Sequence, residues 1–223
     1  CKTAEVVVVG GVRRSALISL SDLGDPEIRD CKSGRWWETA AHRALANNSA
    51  VYDSKPSMAV FMDEWNALMK SGSGERGIYN RGGARTMAPS RRDGDRIVGC
   101  NPCAEIQLRS NQLCNLTEVV ARSNDTEEDL LRKVRVAAIL GTLQAGYTDF
   151  TYLPDTTKAI FDREALLGVS ITGWMNNPDI LFNPEILEEG AAIVKQVNRE
   201  VAGVIGINTA ARTTCVKPSG NAS

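Results

Sequence analysis

Histidine is almost missing from this sequence: His42 is the single one in 223 residues. A Cys/His nucleophilic pair therefore has one base to draw on, and it lies far in sequence from the cysteines at 100–114. Charge of one sign is missing too. Lys plus Arg number 26 against 27 Asp plus Glu, a net charge of −1. That balance argues against nucleic acid or a membrane surface as partner, so a charged ligand has to be met by local groups. No apolar run reaches the roughly 18 residues that span a bilayer, and no secretory signal is visible. A second C-x-x-C pair, an internal repeat and a low-complexity tract are also lacking. The six cysteines are scattered, which reads as a reducing, cytoplasmic setting in which thiols are free, catalytic or metal-bound.

What is present is a 43% hydrophobic chain, long enough for one sizeable core. It begins without Met at "CKTAEVVVVGG" and stops at "KPSGNAS". The expectation is a single incomplete domain over residues 1–223, truncated at both ends. "AEVVVVGG" reads as a strand buried on both faces and "RRSALISLSD" as a second extended segment, with a tight basic loop at Gly10 to Ser15 between them. Residues 25–48 read as helical, with Trp36, Ala40 and Leu45 on one face. "SMAVFMDEWNALMKSG" reads as a helix with Gly72 suited to its C-terminal cap. Residues 71–99 read mostly as loop, with a short strand in "RGIYN". "TEEDLLRKVRVAAILGTLQAGYTD" is the clearest helix, capped by Thr126 with Asp129 three residues on. "REALLGVSITG" reads as a buried strand bounded by Gly173, "NPEILEEGAAIVKQVNREVAGVIG" as a helix, and "TTCVKPSGNAS" as a strand ending in a glycine-containing loop. Strands alternating with long helices predict an α/β fold with mainly parallel strands.

The chemistry concentrates in "GCNPCAEIQLRSNQLCNL", residues 99–116. If this segment is extended, period-2 geometry puts Asn101, Cys103 and Glu105 on one side of the backbone, where one small substrate meets an amide, a thiol and a carboxylate. A thiol reacts as a thiolate nucleophile, which wants a base, or as a hydrogen-atom donor, which wants a radical initiator. Spacing alone equally allows a small buried side chain at Cys103. It also allows a zinc site built from Cys100, Cys103, Cys114 and Cys215, although Pro102 and the missing second pair weaken that.

"NPCAEI" followed by "LCNL" resembles the active-site segment of ribonucleotide reductases, in particular the adenosylcobalamin-dependent (class II) enzymes. "VVVVGGVRRSALISLSD", "RWWETAAHRALANNSAV", "GERGIYNR", "LLGVSITGWMNNP" and "TTCVKPSGNAS" resemble further segments of that family, in the same order. The resemblance implies part of a ten-stranded α/β barrel, of the ribonucleotide reductase and glycyl radical enzyme type, with a central finger loop. It implies that Cys103, at the tip of that loop, becomes a thiyl radical with adenosylcobalamin as cofactor and removes the 3′ hydrogen of a ribonucleotide. Glu105 then acts as base on the 3′ hydroxyl, Asn101 hydrogen-bonds the ribose hydroxyls, and Cys114 is one member of the reducing dithiol. Its dithiol partner is expected upstream of the segment matching residues 6–17.

The resemblance further makes Ser219, Gly220, Asn221, Ala222 and Ser223 a substrate phosphate loop, where the family often has Thr in place of Asn221. By the same likeness, Gly10, Gly11, Arg13, Arg14 and Ser15 form a loop relaying a deoxynucleotide effector to the substrate base. Cys100 departs from the family, where Thr or another small residue is usual. The Cys103 to Cys114 spacing most resembles the monomeric enzymes that reduce ribonucleoside triphosphates, with a thioredoxin-like or dithiol reductant. Diphosphate reductases, cobalamin- or iron-dependent, and a zinc-bound non-catalytic module remain as alternatives.

Overall fold

The computed structural model describes residues 16–218. The strand expected at "AEVVVVGG", the loop residues Gly10, Gly11, Arg13, Arg14 and Ser15, and Ser219 to Ser223 lie outside the described residues. The chain divides into two compact units, one of residues up to 88 with 93–107, the other of 89–92 with residues from 108 on.

In the first unit, strand β1 (Leu17–Asp22) pairs in parallel with β2 (Ala46–Val51), which pairs in parallel with β3 (Gly77–Tyr79). The helical stretch expected over 25–48 is a correction. Only Pro26–Arg29 (α1), Trp36–Thr39 (α2) and a 3-10 turn at Ala41–Leu45 are helical, and residues 46–48 already belong to β2. Gly34, at φ +61°, interrupts the helical geometry. Pairing of Ala46 to Val51 with β1, joined by β3 at Ser49 to Val51, then outweighs their weak local preference.

Helix α3 (Met58–Ser71) follows the expectation: Ser57 Oγ accepts from Val60 N, and Gly72 closes it in the left-handed region at φ +65°. The segment 71–99 is less irregular than expected. It carries the predicted β3, but also α4 (Arg81–Thr86), capped by Asn80 Oδ1 on Gly83 N, and β4 (Ile97–Cys100). Ala50, Val51, Tyr52, Tyr79, Ile97 and Ile106 form the buried apolar centre. A buried ion pair lies beside it, Arg76 donating through Nε and Nη2 to Glu64 and through Nη1 to Ser21 Oγ.

The second unit takes in the end of β5 (Gln107–Arg109) and all of β6 (Asn115–Val120), which pairs in parallel with β7 (Leu167–Thr172). An extended run at 211–217 follows β7 on its other side, Val169 N donating to Thr213 O and Cys215 N to Val169 O. This is the strand-like start expected of "TTCVKP". Helix α5 (Glu127–Gln144) has the reciprocal capping box of Thr126 and Asp129 that its sequence predicts. Helix α6 (Asp155–Glu164) absorbs the first residues of "REALLGVSITG", so the strand begins at Leu167 rather than Arg163. Gly173, at φ +84°, ends it.

After the single turn of α7 (Pro178–Leu181), helix α8 (Pro184–Ile205) packs on α5 over a core of Val119, Leu130, Val134, Ala138, Leu167, Val169, Val194 and Val197. Asn198, buried in that interface, donates to Thr142 Oγ1 and accepts from Ala210 N, so its amide is satisfied at both ends. The architecture is thus α/β with parallel strand pairing, as expected. Among the described residues, no helix is long and apolar enough to cross a membrane.

Candidate active site

The first unit brings Asn101, Cys103 and Glu105 together, but not as a strand. After β4, residues 101–106 form a turn, with Ala104 at φ +66°. The extended segment with three side chains on one side is therefore a correction. Hairpin closure wins because Asn101 bonds across the turn twice. Its N–H donates to Ile106 O at 3.1 Å, and its Oδ1 accepts from Ile106 N at 3.0 Å. Ala104 N donates to Asn101 O at 2.8 Å. The amide Oδ1 of Asn101 is thereby engaged in the fold, leaving the Nδ2 hydrogens for a ligand. Cys103 stands exposed at the middle of the turn and is a free thiol. Glu105 is half-buried.

The turn stands on a fixed base. Tyr79 Oη donates to Gly99 O at 2.8 Å and Arg85 Nε to Ile97 O at 3.0 Å, and a Cβ on Gly99 would meet Leu20 Cδ1 at 3.1 Å. Asn47, from β2, donates through Nδ2 to Pro102 O at 2.6 Å. Cys100 is half-buried at the end of β4. Burial, with the Glu105 carboxylate adding to it, pushes this thiol up to about 11. At neutral pH Cys100 is thus a neutral thiol, a poor nucleophile.

Cys114 belongs to the second unit. It is half-buried, directly before β6, where Asn115 donates to Leu166 O through both its backbone N (3.0 Å) and its Nδ2 (3.2 Å). The loop that leads to it rests on a buried polar cluster that sequence reading missed. Glu164, 0% exposed, accepts from Arg92 Nε at 2.8 Å, Arg109 Nη1 at 3.0 Å and Gln112 Nε2 at 2.6 Å. Gln112 Oε1 in turn accepts from Arg109 N and Arg92 Nη2. Nothing in the local pattern announces that one carboxylate will gather groups from two distant segments, Arg92 and the 109–112 loop. The extended run at 211–217, fixed at Lys217 N by Ser170 Oγ, leads toward Ser219 to Ser223. Among the described residues, no group of three or more His, Cys, Asp or Glu side chains is arranged to hold a metal ion.

Parallel α/β pairing with a cysteine-bearing hairpin has a counterpart among solved structures. A solved B12-dependent (class II) ribonucleotide reductase superposes on 97% of this chain with a TM-score of 0.71 at 20% identity, using 33% of that structure's chain. Curated relatives follow the same line. The chain is 29% identical to the adenosylcobalamin-dependent ribonucleoside-triphosphate reductase of Euglena gracilis and 26% identical to a probable one of Dictyostelium discoideum. It is 24% identical to the enzyme of that name from Lactobacillus leichmannii. Each match covers 97% of this chain and 29% to 33% of the relative, so the chain spans about a third of the length of the curated relatives it matches. No family model matches. The resemblance carried by "NPCAEI" and its flanking segments thus extends along the chain, with homologues named as adenosylcobalamin-dependent ribonucleoside-triphosphate reductases.

Proposed function

We propose that this chain is a catalytic segment of an adenosylcobalamin-dependent ribonucleoside-triphosphate reductase, which makes deoxyribonucleotides for DNA synthesis. Support comes from relatives bearing that name over 97% of the chain. The observation that carries the reading to residues is the hairpin, which exposes the Cys103 thiol between Asn101 and Glu105. The segment belongs to a single catalytic barrel of ten strands with the 101–106 turn as its central finger, in a cytoplasmic monomer.

An exposed thiol at a turn fits a radical cofactor, which must reach the sulfur without a side-chain cover. Adenosylcobalamin, when bound, supplies the radical that takes the hydrogen atom from a thiol. Cys103 then removes the 3′ hydrogen of the ribose, forming S–H as the C–H bond breaks. Glu105 accepts the 3′ hydroxyl proton, the 2′ C–O bond breaks and the hydroxyl leaves as water with a proton from the reducing dithiol, and after reduction Cys103 returns its hydrogen atom to C3′. Asn101 Nδ2 donates to a ribose hydroxyl, its Oδ1 being held by Ile106 N. Two electrons and two protons come from a dithiol of which Cys114 is one member, and which ends as a disulfide that a thioredoxin-like protein or small dithiol reduces. Acid–base groups placed in this way contribute typically about a hundredfold or more in rate.

Ser219, Gly220, Asn221, Ala222 and Ser223 are assigned to the substrate phosphates. Gly10, Gly11, Arg13, Arg14 and Ser15 are assigned to the relay from a deoxynucleotide effector. The test is anaerobic deoxynucleotide formation by the longer protein carrying this chain, with adenosylcobalamin, a dithiol and ATP, ADP, CTP or CDP in turn. Turnover that requires the cobalamin and vanishes in Cys103→Ala supports the reading. Preference for ADP and CDP moves it to a diphosphate reductase, activity only with an iron-bearing partner moves it to class I, and no turnover with stoichiometric zinc sinks it.

A further inference from the structure

The Pro102 carbonyl belongs to the peptide plane that carries the Cys103 nitrogen, so whatever holds that oxygen orients the start of the cysteine residue. Asn47 Nδ2 holds it at 2.6 Å. The Asn101–Ile106 and Ala104–Asn101 bonds close the turn on itself, whereas the Asn47 bond ties it to the β1–β2–β3 sheet. Asn47 is itself well anchored. It sits opposite Ile18 in the parallel register, and Lys32 Nζ donates to Ala46 O at 2.6 Å. Asn48 N donates to Glu75 Oε2, while Asn48 Nδ2 contacts Cys31 Sγ. A side chain on a paired strand, fixed on both flanks, is a rigid arm reaching to a turn whose central thiol is exposed. The amide is also the suitable chemistry. A carbonyl demands a donor, and a neutral donor adds no charge beside a thiol that must stay protonated until a hydrogen atom leaves it.

We propose that Asn47 is a positioning residue that sets the orientation of Cys103 for hydrogen-atom transfer. This inference rests on the proposed role of Cys103 as the hydrogen-abstracting thiol. Its prediction is a loss in the chemical step, because a displacement near 1 Å can cost about a hundredfold in rate while substrate binding is unaltered.

The experiment uses the full-length protein with two variants, Asn47→Ala and Asn47→Asp. It reads kcat and KM for anaerobic nucleotide reduction, and hydrogen-exchange protection at the Ala104 and Ile106 amides. Asn47→Ala is expected to lower kcat by about 10- to 100-fold with KM within about twofold, and to lower protection of the two amides about tenfold. Asn47→Asp puts a carboxylate against a carbonyl. It should lower protection further at neutral pH and restore it toward wild type near pH 4, where an ordinary carboxyl regains its proton and donates. That pH response is one that mere loss of strand stability would not produce.

An unchanged kcat in Asn47→Ala overturns the proposal, as does a kcat loss matched in KM with protection intact. So does an Asn47→Asp whose protection ignores pH. Failure of the underlying reading looks different: the wild type does not turn over, or Cys103→Ala still does, whatever the two Asn47 variants show in exchange.

Discussion

Two thiol-bearing segments of this chain are supported in opposite ways. The turn carrying Cys103 is held by neutral hydrogen bonds: Asn101 to Ile106, Ala104 to Asn101, Asn47 to Pro102. The loop leading to Cys114 is held by a buried ionic cluster of Glu164, Arg92, Arg109 and Gln112. The difference teaches how the fold treats charge near a reactive sulfur. A thiol proposed to give up a hydrogen atom sits exposed on a turn whose supporting hydrogen bonds are made by neutral groups. A segment that only has to hold its loop tolerates full charges, provided they are buried together and hydrogen-bonded throughout.

The largest effect is expected from breaking the ionic side. Glu164→Ala leaves Arg92 and Arg109 buried without their carboxylate, a loss of about 3–5 kcal/mol. Urea denaturation with tryptophan fluorescence measures it, and a loss below about 1 kcal/mol would mean that the cluster relaxes into water and the contrast is overstated. On the neutral side, Asn101→Ala removes a single hydrogen bond, leaving a larger fraction of stability intact: about 1 kcal/mol. The loss should concentrate at the Ile106 amide in hydrogen exchange. Uniform loss across the first unit would show the turn to be part of its global core.

A change away from both sulfurs calibrates these numbers. Gly72→Ala forces a Cβ into the left-handed cap of α3 in open space, costing roughly 1 kcal/mol through backbone strain alone. The same urea denaturation should show a loss about equal to that of Asn101→Ala, and no loss would show the cap to tolerate a Cβ.

The smallest effect concerns Cys100. Its pKa is raised in the folded chain, from the ordinary 9.0 to about 11. The unfolded chain therefore releases this proton first, and the contribution to stability is full below about pH 9 and declines as pH rises toward 11. Iodoacetamide titration of the folded protein, read by peptide mass spectrometry, should show Cys100 half-reactive near pH 11. Glu105→Gln should move that midpoint down only in part, since burial outweighs the carboxylate. A midpoint near 9 in the wild type would place Cys100 in water and detach it from Glu105.

How much was legible differs element by element. The α5 capping box was readable because Thr126 and Asp129 satisfy each other within four residues. The Gly72 and Gly173 stops were readable because only the left-handed region ends those elements cheaply. The motif "NPCAEI" was legible as chemistry, but its shape was misread. Alternation predicts one side of a strand, whereas Asn101 spends its own acceptor on closing a turn. The end of 25–48 was misread because the deciding partners of Ala46 to Asn48 lie on β1, some 29 positions earlier in sequence.

The sequence by itself determined which residue types sit side by side, where helices are capped, and which family's segments they resemble, because those signals act over a few residues. Only the tertiary structure decided that Asn47 reaches Pro102 across 55 positions and that Glu164 gathers Arg92, Arg109 and Gln112. A hydrogen bond between distant segments leaves no trace in local pattern, because its energy is realised only once packing has brought donor and acceptor within 3 Å.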